Sequence, residues 1–280
     1  MFQYTRRTLI LEIVMIVVTL LMLLPFWILI VTSFKTLPEV LSSPALAPPT
    51  APTFDNFSTL LSPESSQSAG IIQALLTSIL ITVGSIIGLV VLGSTAAYVL
   101  ARSTRKWSTR TFFLFAIAII LPTQLGTLPL YIGAKEVGLV GSPWGMMLIY
   151  TGMLLPLSVF IYAGFFRRLP RDYEESATLD GASRFQVFSR VVFPLMSPAT
   201  GTVAILAGLI VWNDFFTSLI FLSGSAWQTL PVAMYNYVGS LVSQWNLIFA
   251  LVLVSMLPIL IFYVFAQRKF IQGFAGGLKS

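Results

Sequence analysis

Cysteine and histidine are both absent from these 280 residues, which removes disulfides, thiolate nucleophiles, imidazole general bases and the usual zinc ligand sets. Charge is scarce as well: Asp, Glu, Lys and Arg together make 9% of the chain, against about 25% in an ordinary soluble domain. No G-x-x-x-x-G-K-[ST] run occurs, so the chain has no phosphate loop with which to hold a nucleoside triphosphate. Carboxylates are not clustered within the apolar runs, so an intramembrane enzyme has no tools here, and no metal site is expected. What fills the chain is apolar: 56% of residues are hydrophobic and the mean hydropathy is +0.89. This is the composition of an integral membrane protein.

A helix needs roughly 20 residues to cross the hydrocarbon core. Runs long enough lie at about 9–34, 71–101, 111–134, 146–166, 197–222 and 247–266. They are continuous rather than alternating, which favours helices over a barrel, because a lipid-exposed backbone must satisfy its own hydrogen bonds. The expected fold is all-α, a single polytopic domain over 1–280 with six transmembrane helices. The first run exceeds the 7–15 residues of a signal-peptide core and is read as an uncleaved span. Orientation follows from the cations. Arg6, Arg7, Arg102, Arg105, Lys106, Arg110, Arg167, Arg168, Arg171, Arg184, Arg190, Arg268, Lys269 and Lys279 fall on one side, leaving only Lys35 and Lys135 on the other. The positive-inside rule therefore puts both termini in the cytoplasm. The net charge of +6 is a topology signal, and nucleic acid is not an expected partner.

Between the spans, Lys35 to Gly70 is rich in proline (Pro44, Pro48, Pro49, Pro52, Pro63) and reads as an irregular external loop, either a connector or a receptor contact. Gly224 to Asn246 is a second, uncharged external loop carrying Trp227, Tyr235, Tyr237 and Trp245. Gly84 with Gly88, and Ala204 with Gly208, are small-residue pairs that let helices approach closely. Pro122, Pro129 and Pro156 are expected to kink the third and fourth spans.

One segment does not fit a chain that only spans lipid. Leu169 to Pro194 reads LPRDYEESATLDGASRFQVFSRVVFP, a polar, charged island on the cytoplasmic side. Pro170 stops the preceding helix, and a short helix over Tyr173–Leu179 carries acids in its first turn, where the helix dipole favours them. Gly181 can take the left-handed conformation that ends it. A second helix fits Ser183–Val192, with Phe185, Phe188, Val191 and Val192 along an apolar stripe, and Pro194 closes the segment. Such an island is either an interfacial helix lying on the membrane or a docking handle for a soluble partner.

The spacing Glu175-Ser176-Ala177, then Gly181, then Val191-Val192-Phe193-Pro194 resembles the EAA loop of bacterial ABC importer permeases, whose pattern is E-A-A, three residues, G, nine residues, I-x-L-P. Ser176 stands where alanine is usual, and Val and Phe replace Ile and Leu. Trp212-Asn213-Asp214-Phe215, Thr229-Leu230-Pro231-Val232 and the ending Gln267-Arg268-Lys269-Phe270 with Gly273 and Gly276-Gly277 are similar to carbohydrate-importer permeases of the maltose-permease G type. The resemblance implies a permease in the bacterial cytoplasmic membrane, paired with a second permease chain, two cytoplasmic ATPase subunits and an extracytoplasmic substrate-binding protein, and carrying a carbohydrate or related solute. ATP and Mg²⁺ would sit on the ATPase partners, none on this chain. The island would be the coupling helix: Tyr173, Phe185 and Phe188 its apolar anchors, Glu174, Glu175 and Asp180 the charges meeting partner arginines, Gly181 its elbow, and the Gly224–Asn246 loop would reach toward the binding protein.

Asp214 is the remaining singular residue. A carboxylate at a span centre costs about 2.5–3.5 kcal/mol on insertion scales and ordinarily faces a cavity or a partner. Three roles stay open: a substrate contact in the translocation path together with Trp212, a structural hydrogen-bonding partner with Asn213, or a proton-coupling site. The last would suit an ion-coupled secondary transporter, the alternative class, which gives no reason for the island.

Overall fold

The computed structural model describes residues 5–62, 66–238 and 244–278. Pro63, Lys279 and 239–243 of the second external loop lie outside the described residues, as do the side chains of Tyr237, Arg268, Lys269 and Phe270. In chain order the elements are α1 (Arg6–Ser33), α2 (Leu37–Ser42), α3 (Asp55–Leu61), α4 (Ser66–Arg102), α5 (Lys106–Ile120), a 3₁₀ turn (Thr123–Gly126), α6 (Thr127–Glu136), α7 (Pro143–Arg168) and α8 (Asp172–Leu179). Then follow α9 (Arg184–Gln186), a π-helical turn (Val187–Val192), α10 (Phe193–Leu195), α11 (Ser197–Asn213), α12 (Phe216–Phe221), α13 (Leu230–Val238) and α14 (Trp245–Leu278). Every regular element among the described residues is helical, as the continuous apolar runs require. Four helices are long and apolar enough to cross a membrane, and six segments are if each of two bent pairs counts as one span.

The runs at 111–134 and 197–222 are not single straight helices. The third run breaks between α5 and the 3₁₀ turn, its two parts bent by 99°. Pro122 is the cause: it has no N–H to return to α5, and it holds Leu121 extended at ψ 130°. The fifth run starts after a 71° bend between Leu195 and Ser197 and then stops at Asn213, because Asp214 is extended at ψ 115°. Pro156 lies inside an unbroken α7, and Pro129 sits in the first turn of α6, where proline removes no helical hydrogen bond.

The chain divides into two compact units. The first combines 1–72 with 233–258. Within it, none of the most apolar window of α1 is buried, which suits a helix in hydrocarbon. The segment after α1 is more ordered than its prolines suggest, and polar clasps are the reason. Lys35, 1% exposed, donates from Nζ to Ser43 Oγ at 2.9 Å and to the Pro44 carbonyl at 3.1 Å. Asn56 Nδ2 donates to the Ser33 and Lys35 carbonyls, and its own Oδ1 accepts from Asn246 Nδ2 at 2.6 Å. The backbone N–H and hydroxyl of Thr50 both donate to Glu39 Oε1, and these bonds hold the Glu39 carboxyl below the usual carboxylate range.

The second unit joins 73–232 with 259–280. Its core sits where α4, α7 and α11 meet the Leu169–Pro194 island: Leu89, Ala97, Val159, Tyr162, Phe166, Val187, Val192 and Ala199 are all buried in one cluster. Glycine sets the closeness of α4 to α7. A methyl group on Gly84 would run into Met147, on Gly88 into Thr151, and on Gly93 into Ser158. Ser158 Oγ in turn donates to the Leu89 carbonyl at 2.9 Å. The small-residue spacing therefore serves packing.

Candidate functional site

The island is built from two caps. Helix α8 begins with Asp172, Glu174 and Glu175 in its first turn and ends in a Schellman motif: Ala182 N–H donates to the Ala177 carbonyl and Gly181 N–H to the Thr178 carbonyl, both at 3.0 Å. Gly181 has φ +84°, the left-handed region, so only glycine closes this turn without strain. Ser183 then opens the next helix through a capping box with Gln186. From Val187 the turns widen to π geometry, and this changes which residues face inward. In a π-helix the hydrogen-bonded partner is five residues away, so Val187 and Val192 share the buried face, 4% and 0% exposed.

The expected stripe of Phe185, Phe188, Val191 and Val192 is split by that register. Phe188 turns inward, with its ring 5.0 Å from Tyr98 and 5.9 Å from Phe193, and is not an outward anchor. Phe185 stays outside, 76% exposed. Pro194 does not close the segment but lies within α10, and Met196 caps it.

Charge is divided in the same way. Glu174, expected to meet a partner, is held within the chain: Arg102 of α4 reaches its Oε1 through Nε at 2.6 Å and through Nη2 at 2.6 Å. Tyr98 Oη donates to the other oxygen at 3.0 Å. Arg102 Nη2 also donates to the Leu169 carbonyl at 3.1 Å, so one guanidinium joins the end of α4, the end of α7 and the start of α8. Ala177 and Ala182 pack against the same core. The outer side of the island exposes Tyr173, Glu175, Ser176, Asp180, Gly181 and Phe185, among other residues. Leu179, 89% exposed, is one of these. Leu179 escaped the sequence reading, although a leucine one residue before the helix-ending Asp180-Gly181 pair has no neighbour of its own turn to cover it.

Asp214 occupies a second polar constellation, at the break between α11 and α12. Tyr150 Oη of α7 donates to its Oδ2 at 2.6 Å and exchanges a hydrogen bond with Ser218 Oγ at 3.0 Å. The Thr217 N–H donates to Asp214 Oδ1 at 3.3 Å, so the carboxylate takes up a backbone donor at the start of α12. Asn213 is not its partner: Asn213 Nδ2 donates to the Leu209 carbonyl at 2.8 Å. Trp212 is 8% exposed and packed. The residues gathered at Asp214 are Tyr150 and Ser218, which sequence reasoning missed. Their signal was a tyrosine and a serine inside apolar runs, each needing a polar partner.

Comparison with known proteins returns one family over most of the chain. A family model described as "Binding-protein-dependent transport system inner membrane component" matches residues 90–275. The "Probable starch degradation products transport system permease protein AmyC" of Thermoanaerobacterium thermosulfurigenes is 32% identical over 266 residues, 95% of this chain and 94% of that one. The "Melibiose/raffinose/stachyose import permease protein MelC" of Bacillus subtilis is 33% identical over 255 residues, 91% of this chain and 90% of that one. Among solved structures, a chain of a bacterial ABC transporter involved in the import of the acidic polysaccharide alginate superposes with a TM-score of 0.83 at 20% identity, covering 96% of this chain and 100% of that one. That likeness is one of fold.

Proposed function

We propose that this chain, which belongs to the family of binding-protein-dependent transport system inner membrane components, is a permease subunit of an ATP-driven carbohydrate importer and couples transport to ATP hydrolysis through its Leu169–Pro194 segment. The observation that carries the coupling role is the two-sided build of that segment. Its inner side is tied to α4 and α7 by Arg102, Glu174 and Tyr98, and its outer side offers Tyr173, Leu179 and Phe185 among Glu175 and Asp180. Exposed apolar anchors beside exposed acids suit a cleft lined by arginines and apolar side chains. The chain has no phosphate loop, so energy must come from that partner.

In this reading the protein is a multi-pass subunit of a bacterial cytoplasmic membrane with the island in the cytoplasm. It pairs with a second permease chain, two ATPase subunits that hold ATP and Mg²⁺, and an extracytoplasmic binding protein. Its own role is transport rather than catalysis. The carbohydrate class is supported by relatives named for starch degradation products and for melibiose, raffinose and stachyose. A direct test uses Phe185→Cys in the assembled complex. Cross-linking from this position to the ATPase subunit, and loss of ATP-driven solute uptake once cross-linked, are expected. Undiminished uptake with the cross-link in place would refute the coupling role.

A further inference from the structure

Hydroxyls within apolar helices ordinarily donate to their own backbone one turn back. This chain does so repeatedly: Thr95 to the Val91 carbonyl at 2.8 Å, Thr151 to Met147 at 2.6 Å, Thr200 to Met196 at 3.1 Å and Thr202 to Pro198 at 3.0 Å. One group departs from the habit. Thr77, Thr82 and Ser85 of α4 and Thr229 before α13 are 1%, 9%, 0% and 4% exposed, yet their hydroxyl oxygens have no hydrogen-bond partner among the described residues. Burying a hydroxyl without a partner is unfavourable, so four together call for a reason.

Their placement supplies one. At 100° per residue, Thr77, Ser78, Thr82 and Ser85 fall in a single arc of α4, and Leu76, Val83 and Ile87, 61%, 49% and 58% exposed, occupy the opposite arc. Ser78 Oγ accepts the Leu230 N–H at 2.7 Å, which sets Thr229 beside the same stretch of helix. The arc also contains Ile81, which packs in one cluster with Tyr150 of α7. Tyr150 is the residue hydrogen-bonded to Asp214 and Ser218. The orphaned hydroxyls therefore stand on the side of α4 that packs toward Tyr150 and its partners Asp214 and Ser218, opposite the exposed apolar arc.

We propose that Thr77, Thr82, Ser85 and Thr229 line the aqueous solute path in another state of the transport cycle, where their hydroxyls bond to water and to the hydroxyls of a carbohydrate. The inference rests on the permease reading and deepens it by assigning path-lining groups. A buried group that lacks a partner in one conformation and gains one in another biases the equilibrium toward the second, so these residues would favour opening of the path.

Native absence of cysteine makes the test direct. Ser85→Cys, Thr229→Cys and, as the outward control, Val83→Cys are each placed in the complex with cysteine-free partners, in membrane vesicles. A small charged methanethiosulfonate is the probe, applied without nucleotide and again after trapping with ATP and vanadate. Ser85→Cys and Thr229→Cys are expected to react in one state and at least about 10-fold more slowly in the other, as for a conformation populated at about 10% or less. Val83→Cys stays unreacted in both. Should Ser85→Cys fail to assemble, Thr229→Cys gives the same readout from outside the helix. Equal reaction at Val83→Cys, or no reaction at either interior position in a complex that still drives ATP-dependent uptake, overturns the proposal. A complex in which uptake is independent of ATP overturns the permease reading itself, and this assignment with it.

Discussion

Removing the Glu174 carboxylate should release the inner side of the island without touching its outer face. Glu174 and Arg102 are 16% and 14% exposed, so their attraction is only partly screened by solvent. Three donors converge on the carboxylate: Arg102 Nε and Nη2 on one oxygen, and Tyr98 Oη on the other. A hydrogen bond to a charged group contributes about 1.5–3 kcal/mol net. The two guanidinium bonds share one acceptor and are better counted as one. Glu174→Ala is then expected to cost about 3 kcal/mol, inside the range for breaking a largely buried pair. Glu174→Gln keeps an acceptor for Tyr98 and should cost about half as much. The loss is local, so amide hydrogen exchange of the peptide covering α8 and the Gly181 turn is the assay. At about 1.4 kcal/mol per tenfold, Glu174→Ala should raise exchange there by about 100-fold, with exchange in α7 unchanged. Pairing Glu174→Ala with Arg102→Met in a double-mutant cycle should return a coupling energy of at least about 1 kcal/mol. A coupling energy near zero, with wild-type protection of α8, would refute the claim that this pair fastens the island to α4.

Three further outcomes follow from the same geometry. Gly181→Val should abolish ATP-driven uptake while leaving membrane insertion intact, because a β-branched residue at φ +84° costs at least about 1–2 kcal/mol; Gly181→Asn, which tolerates this region, should retain partial uptake, and since no atom lies within 4 Å of an added Cβ, equal loss in both variants would contradict a purely backbone cause. Asp214→Asn keeps an acceptor for Tyr150 and should transport with unchanged pH dependence, whereas Asp214→Leu removes the partner of Tyr150 and Thr217 and should lower thermal stability by about 1–3 kcal/mol; loss of pH dependence in Asp214→Asn would instead establish proton coupling. Glu39 has a depressed carboxyl, so its bonds to Thr50 stabilise the loop above the ordinary carboxylate range and are lost as pH falls through the lowered value; exchange of the Thr50 amide should accelerate on acidification in the wild type but be pH-insensitive, apart from intrinsic chemistry, in Glu39→Gln.

The helical class was legible because hydrophobic continuity is a local property, and so was the Gly181 turn, where Asp180-Gly181 after an acidic helix start leaves few alternatives. The side on which each island residue lies was not. Glu174 and Glu175 are adjacent acids of the same helix, and only the arrival of Arg102, far away in sequence, separates an internal ion pair from an exposed charge. The π-helical turn likewise moves Phe188 inward through a change of period that residue types alone do not announce. At Asp214 the sequence marks an unusual residue but offers a neighbour, Asn213, as its partner. The helix break at Asp214 instead leaves Asn213 bonded back to the Leu209 carbonyl, with Tyr150 reaching across from α7. Pro122 was visible as a kink, yet its effect is a bend of 99°, because the residue before it is forced extended as well.

In the proposed coupling role, these same contacts decide which helices feel the partner. Displacement of α8 is passed through Arg102 and Tyr98 to the end of α4, and through the Leu169 carbonyl to the end of α7. Tyr98 packs edge-on against Phe166 at 5.5 Å, Phe166 stacks on Tyr162, and Tyr162 Oη donates to Thr200 Oγ1 at 2.8 Å, so the path continues into the first turn of α11. Helices α4 and α7 are in close contact where Gly84, Gly88 and Gly93 meet Met147, Thr151 and Ser158, and Ser158 Oγ donates across to the Leu89 carbonyl. In this reading they move as one body, and α11, which follows the 71° bend at Met196, changes its angle to them. That assigns the compliance of the unit to the bend at Met196 and the break at Asp214, the two ends of α11. Stiffening Met196 by a disulfide across the bend should then block uptake, whereas one between α4 and α7 beside Gly93 should leave it intact. The reverse result would place the moving joint between α4 and α7 and undo the argument.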